Sequence, residues 1–174
     1  MSNIPAWQPH LEVWLLVAGV IGLGFYTSRV IQPVAVQAGG EPITTNQRRW
    51  FILGVFLLWL ASDWPIHDIS EERLYSMHMF QHMLLTLVLP PVMLMAIPKW
   101  LGTLILGDGA VWRGFVRLAR PLPAAIIFNV VGALAHWNFV VNLAVRNGPF
   151  HYLVHTIIVI TAFLAWVPVC GPFR

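Results

Sequence analysis

Ser76-Met77-His78-Met79-Phe80-Gln81-His82-Met83 opens an apolar run that continues through Leu84-Leu85-Thr86-Leu87-Val88-Leu89-Pro90-Pro91 to Ile97. About 20 mainly apolar residues make one transmembrane helix, and this run begins with two histidines four residues apart. Residues at that spacing share a helix face, with Cβ atoms about 5–6 Å apart. The block therefore predicts a pair of imidazoles at one end of a membrane helix. The pattern recurs in His151-Tyr152-Leu153-Val154-His155, at the head of the last apolar run. Imidazole is costly to bury in lipid, so such residues are functional-site candidates by default.

Composition supports a bilayer setting. Hydrophobic residues make up 58% of the 174 residues and charged residues 10%, against roughly 25% charged in a soluble domain. The net charge of +3 does not point to nucleic acid, because the basic residues form no stripe. Cys170 is the one cysteine, which excludes an internal disulfide and any Cys-x-x-Cys site. No cleavage site of small residues follows Met1–His10, so the first apolar segment is expected to remain as a membrane helix.

Five spans are predicted, at residues 11–31, 50–66, 76–97, 122–145 and 149–169, in an all-α polytopic membrane bundle forming a single domain over 1–174. Asp63-Trp64-Pro65 closes the second early, since the residue before proline avoids helix. Pro90-Pro91 predicts a kink in the third, tolerated where neighbours satisfy the freed backbone. Residues 99–120 interleave Trp100, Leu101, Leu104, Trp112 and Phe115 with Lys99, Arg113, Arg117 and Arg120. They read as an interfacial segment lying on an anionic membrane surface.

Basic residues set the orientation. Arg29, Arg48, Arg49, Lys99, Arg113, Arg117, Arg120 and Arg174 fall on one side of this map, and only Arg73 and Arg146 on the other. The positive-inside rule then predicts the N-terminus outside and the C-terminus in the cytoplasm. Glu12, Asp63, Asp68, Glu71 and Glu72 gather on the outer side.

All seven histidines fall toward that outer side. His78 and His82 occupy the first turns of the third span, His151 and His155 those of the fifth. His136 is expected about two turns inside the fourth, roughly 9 Å deep at 1.5 Å per residue. His67 follows the second span and is a further candidate ligand, while His10 reads as a free interfacial residue. Met77, Met79 and Met83 add thioethers, although methionine in an apolar helix is usually filler. Imidazole with thioether favours copper, above all Cu(I). Asp63 and Asp68 are candidates for gathering cations at an entrance or for orienting ligand imidazoles; their simplest role is a solvated loop.

The stretch Leu74–Leu85, with its Ser-x-His-Met-x-Gln-His block, Pro90-Pro91 and Ile97-Pro98, resembles the caa3-type cytochrome c oxidase assembly factor family. Ala135-His136-Trp137, the His151–His155 block and Trp166-Val167-Pro168-Val169 extend the resemblance over roughly residues 50 to 172. It implies a multi-pass protein of the bacterial plasma membrane that assists copper insertion into haem–copper oxidases from the outer side. His78, His82, His136, His151 and His155 would handle the copper. Family members continue with about two more spans, so the resemblance implies that this chain lacks the C-terminal spans.

Three other functions fit the sequence less fully. One is a non-catalytic structural subunit of an electron-transfer or photosynthetic complex. Another is a haem b protein, with His82 and His155 as axial ligands. The third is a His-box membrane oxygenase, which needs about eight histidines, typically facing the cytoplasm. No Ser/His/Asp arrangement or phosphate loop argues for other catalysis, and the chain is not read as an enzyme. The expected partners are other integral membrane proteins, an oxidase or electron-transfer complex, together with the lipid bilayer.

Overall fold

A computed structural model describes residues 10–63, 75–107 and 109–171. Among the described residues the chain is all-helical. Helix α1 runs over Leu11–Gln37, α2 over Thr45–Ser62, and α3 begins at Tyr75–Met83 and ends at Leu89–Ala96. The remainder are α4 (Lys99–Leu106), α5 (Ala110–Leu118), α6 (Pro121–Ala135), α7 (Asn138–Arg146) and α8 (Gly148–Cys170). Helix α1 packs on α2, α2 on α3, α3 on α8, and α8 on α6.

Local signals start these helices where they start. Thr44 caps α2 with a reciprocal box: its hydroxyl accepts from the Gln47 backbone N–H at 3.2 Å, and the Gln47 side-chain oxygen accepts from the Thr44 N–H at 2.9 Å. That satisfies two of the helix's orphan donors. At the head of α8, the Asn147 side chain accepts from Phe150 N–H at 3.1 Å, and Pro149 occupies the first turn, where no donor is needed.

The expected kink in α3 has a specific form. Residues Leu84–Val88 make one π-helical turn, a local widening often found at functional sites. Pro90 has no N–H to offer the carbonyl four residues back, that of Thr86. The Trp166 indole of α8 donates to this carbonyl at 3.0 Å instead. The freed backbone group thus becomes a tie between α3 and α8.

Small residues set the closest approaches. A Cβ on Gly54 of α2 would lie 2.9 Å from Met93 Cγ of α3, and Ala61, Ala124 and Ala162 are wholly buried, at 1%, 0% and 0% exposure. Large apolar side chains such as Leu15, Phe25, Ile52 and Leu122 point outward. Close packing through small residues with bulky groups outside is the pattern of helices in lipid.

Three helices are long and apolar enough to cross a bilayer: Leu11–Gln37, Ser76–Ala96 and Gly148–Cys170. A fourth is added if α5 and α6, bent by 74° at their junction, are one span. Among the described residues the expected count of five is therefore not confirmed. Helix α2 falls short because its first turn holds polar residues including Arg48 and Arg49. The span expected at 122–145 is two helices: α6 stops at Ala135, and α7 starts anew at Asn138. Helix α1 outlasts its expected end at residue 31, so Arg29 lies within a helical turn and not in a loop. The segment at 99–120 is two short helices, α4 and α5.

Candidate metal centre

The alternation of helices brings one end of each to the same place. Gln81, between the two histidines of α3, donates from Nε2 to the Ala61 carbonyl near the end of α2 at 2.8 Å. Tyr152 of α8 donates to Glu12 Oε1 of α1 at 3.3 Å. The start of α1, the end of α2 and the starts of α3 and α8 therefore share one end of the bundle. His10 lies there too, with Nδ1 3.6 Å from Glu12 Oε1. Arg48 and Arg49, in the first turn of α2, lie at the opposite end. Gln81 had no role in the sequence reading; its bond to α2 fixes the rotation of α3 that turns His78 and His82 toward α8.

His78, His82 and His155 converge. One ring nitrogen of each lies within 4.8 Å of the other two, with His82 the most enclosed and its neighbours half-buried. The Nε2 atoms of His78 and His82 are 2.9 Å apart, a hydrogen bond in which one imidazole donates to the other. The ring centroids of His82 and His155 are 4.5 Å apart, nearly parallel, and those of His78 and His155 5.6 Å apart. Two helices thus supply three nitrogen donors to one point.

The other two expected imidazoles flank this trio. His151 stacks on His155 at 4.4 Å and lies 6.3 Å from His78. His136 approaches from the His82 side, at 5.8 Å. Its expected depth of two turns inside a span is corrected: it is the C-cap of α6, with the chain leaving the helix there. Its Nδ1–H donates to the Gly132 carbonyl at 2.7 Å. A carbonyl can only accept, so the proton sits on Nδ1 and the lone pair on Nε2 is available to an ion. A cavity of about 240 Å³ lies among these five histidines, closed in part by Asn138, Val141, Ala144 and Val145 of α7.

The remaining candidates fall elsewhere. Met79 is half-buried and Met83 is 54% exposed, and neither lines the cavity. Asp63 is buried at the end of α2, where its Oδ2 accepts from the Trp59 indole at 2.9 Å and, among the described residues, from no histidine. His67 and Asp68 lie outside the described residues. Cys170 ends α8, at the far end from His151.

Three convergent, uncharged nitrogen donors suit a borderline or soft cation such as copper or zinc better than calcium or magnesium, which take oxygen ligands. In an all-helical fold with apolar helices long enough to cross a bilayer, this group of imidazoles is a candidate metal site. The family is shown directly: a family model described as cytochrome c oxidase caa3 assembly factor matches residues 24–174, and the chain belongs to that family. Neither a curated protein nor a solved structure gives a significant match.

Proposed function

We propose that this protein is a copper carrier that assists assembly of a haem–copper cytochrome c oxidase in the bacterial plasma membrane, with Cu(I) as its cargo. The observation that carries the reading is the convergence of His78, His82 and His155 within 4.8 Å in a member of an oxidase assembly family. Cu(I) is soft and accepts low coordination numbers, and imidazole is among its ligands. A haem would use two axial histidines, whereas three nitrogens meet here, which favours a bare ion.

The role is carriage and not catalysis. Loading breaks the hydrogen bond between His78 and His82: the imidazole that donates from Nε2 carries its proton on Nδ1 instead, so that both Nε2 lone pairs face the ion and both rings stay neutral. The histidine end faces outward in this reading, because most arginines gather at the other end and basic residues mark the cytoplasmic side. The recipient is an integral membrane subunit of the oxidase, reached through helix contacts in the bilayer. Elemental analysis of the detergent-purified protein, loaded under reducing conditions and desalted, tests the reading. One copper per chain is expected; protein that retains neither copper nor zinc overturns it.

A further inference from the structure

The five imidazoles are graded by exposure. His82 is enclosed, His78, His155 and His151 are half-buried, and His136 is exposed. His136 is the most exposed of the five, and its ring centroid approaches that of His82 to 5.8 Å. Resting on the copper reading above, we propose that His136 is the transfer ligand, the imidazole through which the ion passes between the His78/His82/His155 site and an outside donor or acceptor.

Three features fit it for that work. Its Nδ1–H is held by the Gly132 carbonyl at 2.7 Å, so Nε2 is the free donor without any tautomer change. It sits at a helix end, with φ −91° and ψ 3°, outside the regular ladder of α6. Its ring centroid stands 5.8 Å from that of His82, so a modest swing of the exposed ring brings its Nε2 within the roughly 4 Å that two metal–nitrogen bonds of about 2 Å can span. Transfer is then a ligand exchange: a copper–nitrogen bond to His136 forms while a bond within the trio breaks. No electron moves, and both imidazoles stay neutral. His136 does not belong to the converging trio, so its removal leaves the resting site intact. His151 is different: it stacks on His155 and is half-buried, which makes it less open to an outside partner than His136.

The test separates rate from affinity. Copper-loaded protein is mixed with excess of a bulky, water-soluble Cu(I) chelator, and release is followed optically. His136→Ala is expected to keep one copper per chain and an affinity within about threefold of the unaltered protein, while release slows at least tenfold. Added free imidazole is expected to restore the rate. His151→Ala serves as comparator and should change the rate less than twofold. Unchanged release from His136→Ala overturns the proposal, as does an affinity loss equal to that of His82→Ala, which would make His136 a resting ligand. The His136→Asn variant, which can still hydrogen-bond the helix end, must slow release equally; normal release from it also overturns the proposal. Failure of the unaltered protein to bind copper would instead defeat the copper reading itself.

Discussion

Replacing His82 by alanine is the sharpest single perturbation of the site. His82 is the hub: its ring lies 4.5 Å from His78, 4.5 Å from His155 and 5.8 Å from His136. Structural four-ligand zinc sites release about 10–16 kcal/mol on binding, or about 3 kcal/mol for each ligand. At about 1.4 kcal/mol per tenfold, losing one ligand costs about 150-fold in affinity. The unaltered site has a cost of its own, because loading breaks the 2.9 Å hydrogen bond between His78 and His82. That bond is worth about 1 kcal/mol, and the variant never had it to lose. The net expectation is an affinity loss of about 30-fold to 150-fold. Competition against a chelator of known Cu(I) affinity, in detergent and under reductant, measures it. Thermal melting of the copper-free variant verifies the fold, and His10→Ala, whose ring faces Glu12 at 3.6 Å, is the matched control. A His82→Ala protein that binds copper within threefold of the unaltered one would refute the reasoning.

Three further outcomes follow from the same structure. Copper affinity should fall as pH is lowered through the range in which imidazoles protonate, because each ligand must shed its proton to bind; affinity that is flat from pH 7 to 5 would exclude an imidazole site. Trp166→Phe removes the donor to the Thr86 carbonyl and should destabilise the protein by about 1–3 kcal/mol, the cost of a buried unpaired group. In the Pro90→Ala background, where residue 90 regains its N–H, the same change should cost less than about 1 kcal/mol, as thermal or denaturant unfolding would report. Gly54→Ala drives a methyl into Met93 of α3 and should cost about 1–3 kcal/mol by overpacking, whereas Gly19→Ala, with nothing within 4 Å, should be neutral or stabilising in the same melt.

Much of the site was legible because its signals are local and periodic. Two histidine pairs at one-turn spacing identify two helix faces, and the apolar runs behind them identify two helices that can span. Alternation of spans then predicts that both faces lie at one end, as found. Pro90 predicts a kink because a missing N–H is a certainty of the sequence. What it cannot reveal is the partner, Trp166, which lies 76 positions away along the chain. The break at His136 gave no signal: Leu134-Ala135-His136-Trp137-Asn138 contains no glycine or proline. At the helix end the histidine ring bonds back to Gly132, a tertiary detail of the turn that no residue type announces. For the same reason His136 was misplaced in depth, although its company with His82 was foreseen. Five spans are not confirmed, because the fourth expected span combines the hydropathy of two segments across a break that tertiary structure makes. The methionines beside the histidines looked like ligands because neighbours in sequence share a segment, but on a helix Met83 faces away from the cavity that His82 lines.

X-ray absorption at the copper edge, on reduced protein loaded with one equivalent, tests the central claim most directly. The account predicts a Cu(I) edge with about three nitrogen scatterers near 2 Å, imidazole multiple scattering, and loss of one scatterer in His155→Ala. A spectrum dominated by sulfur scatterers, or one unchanged in His155→Ala, would contradict it.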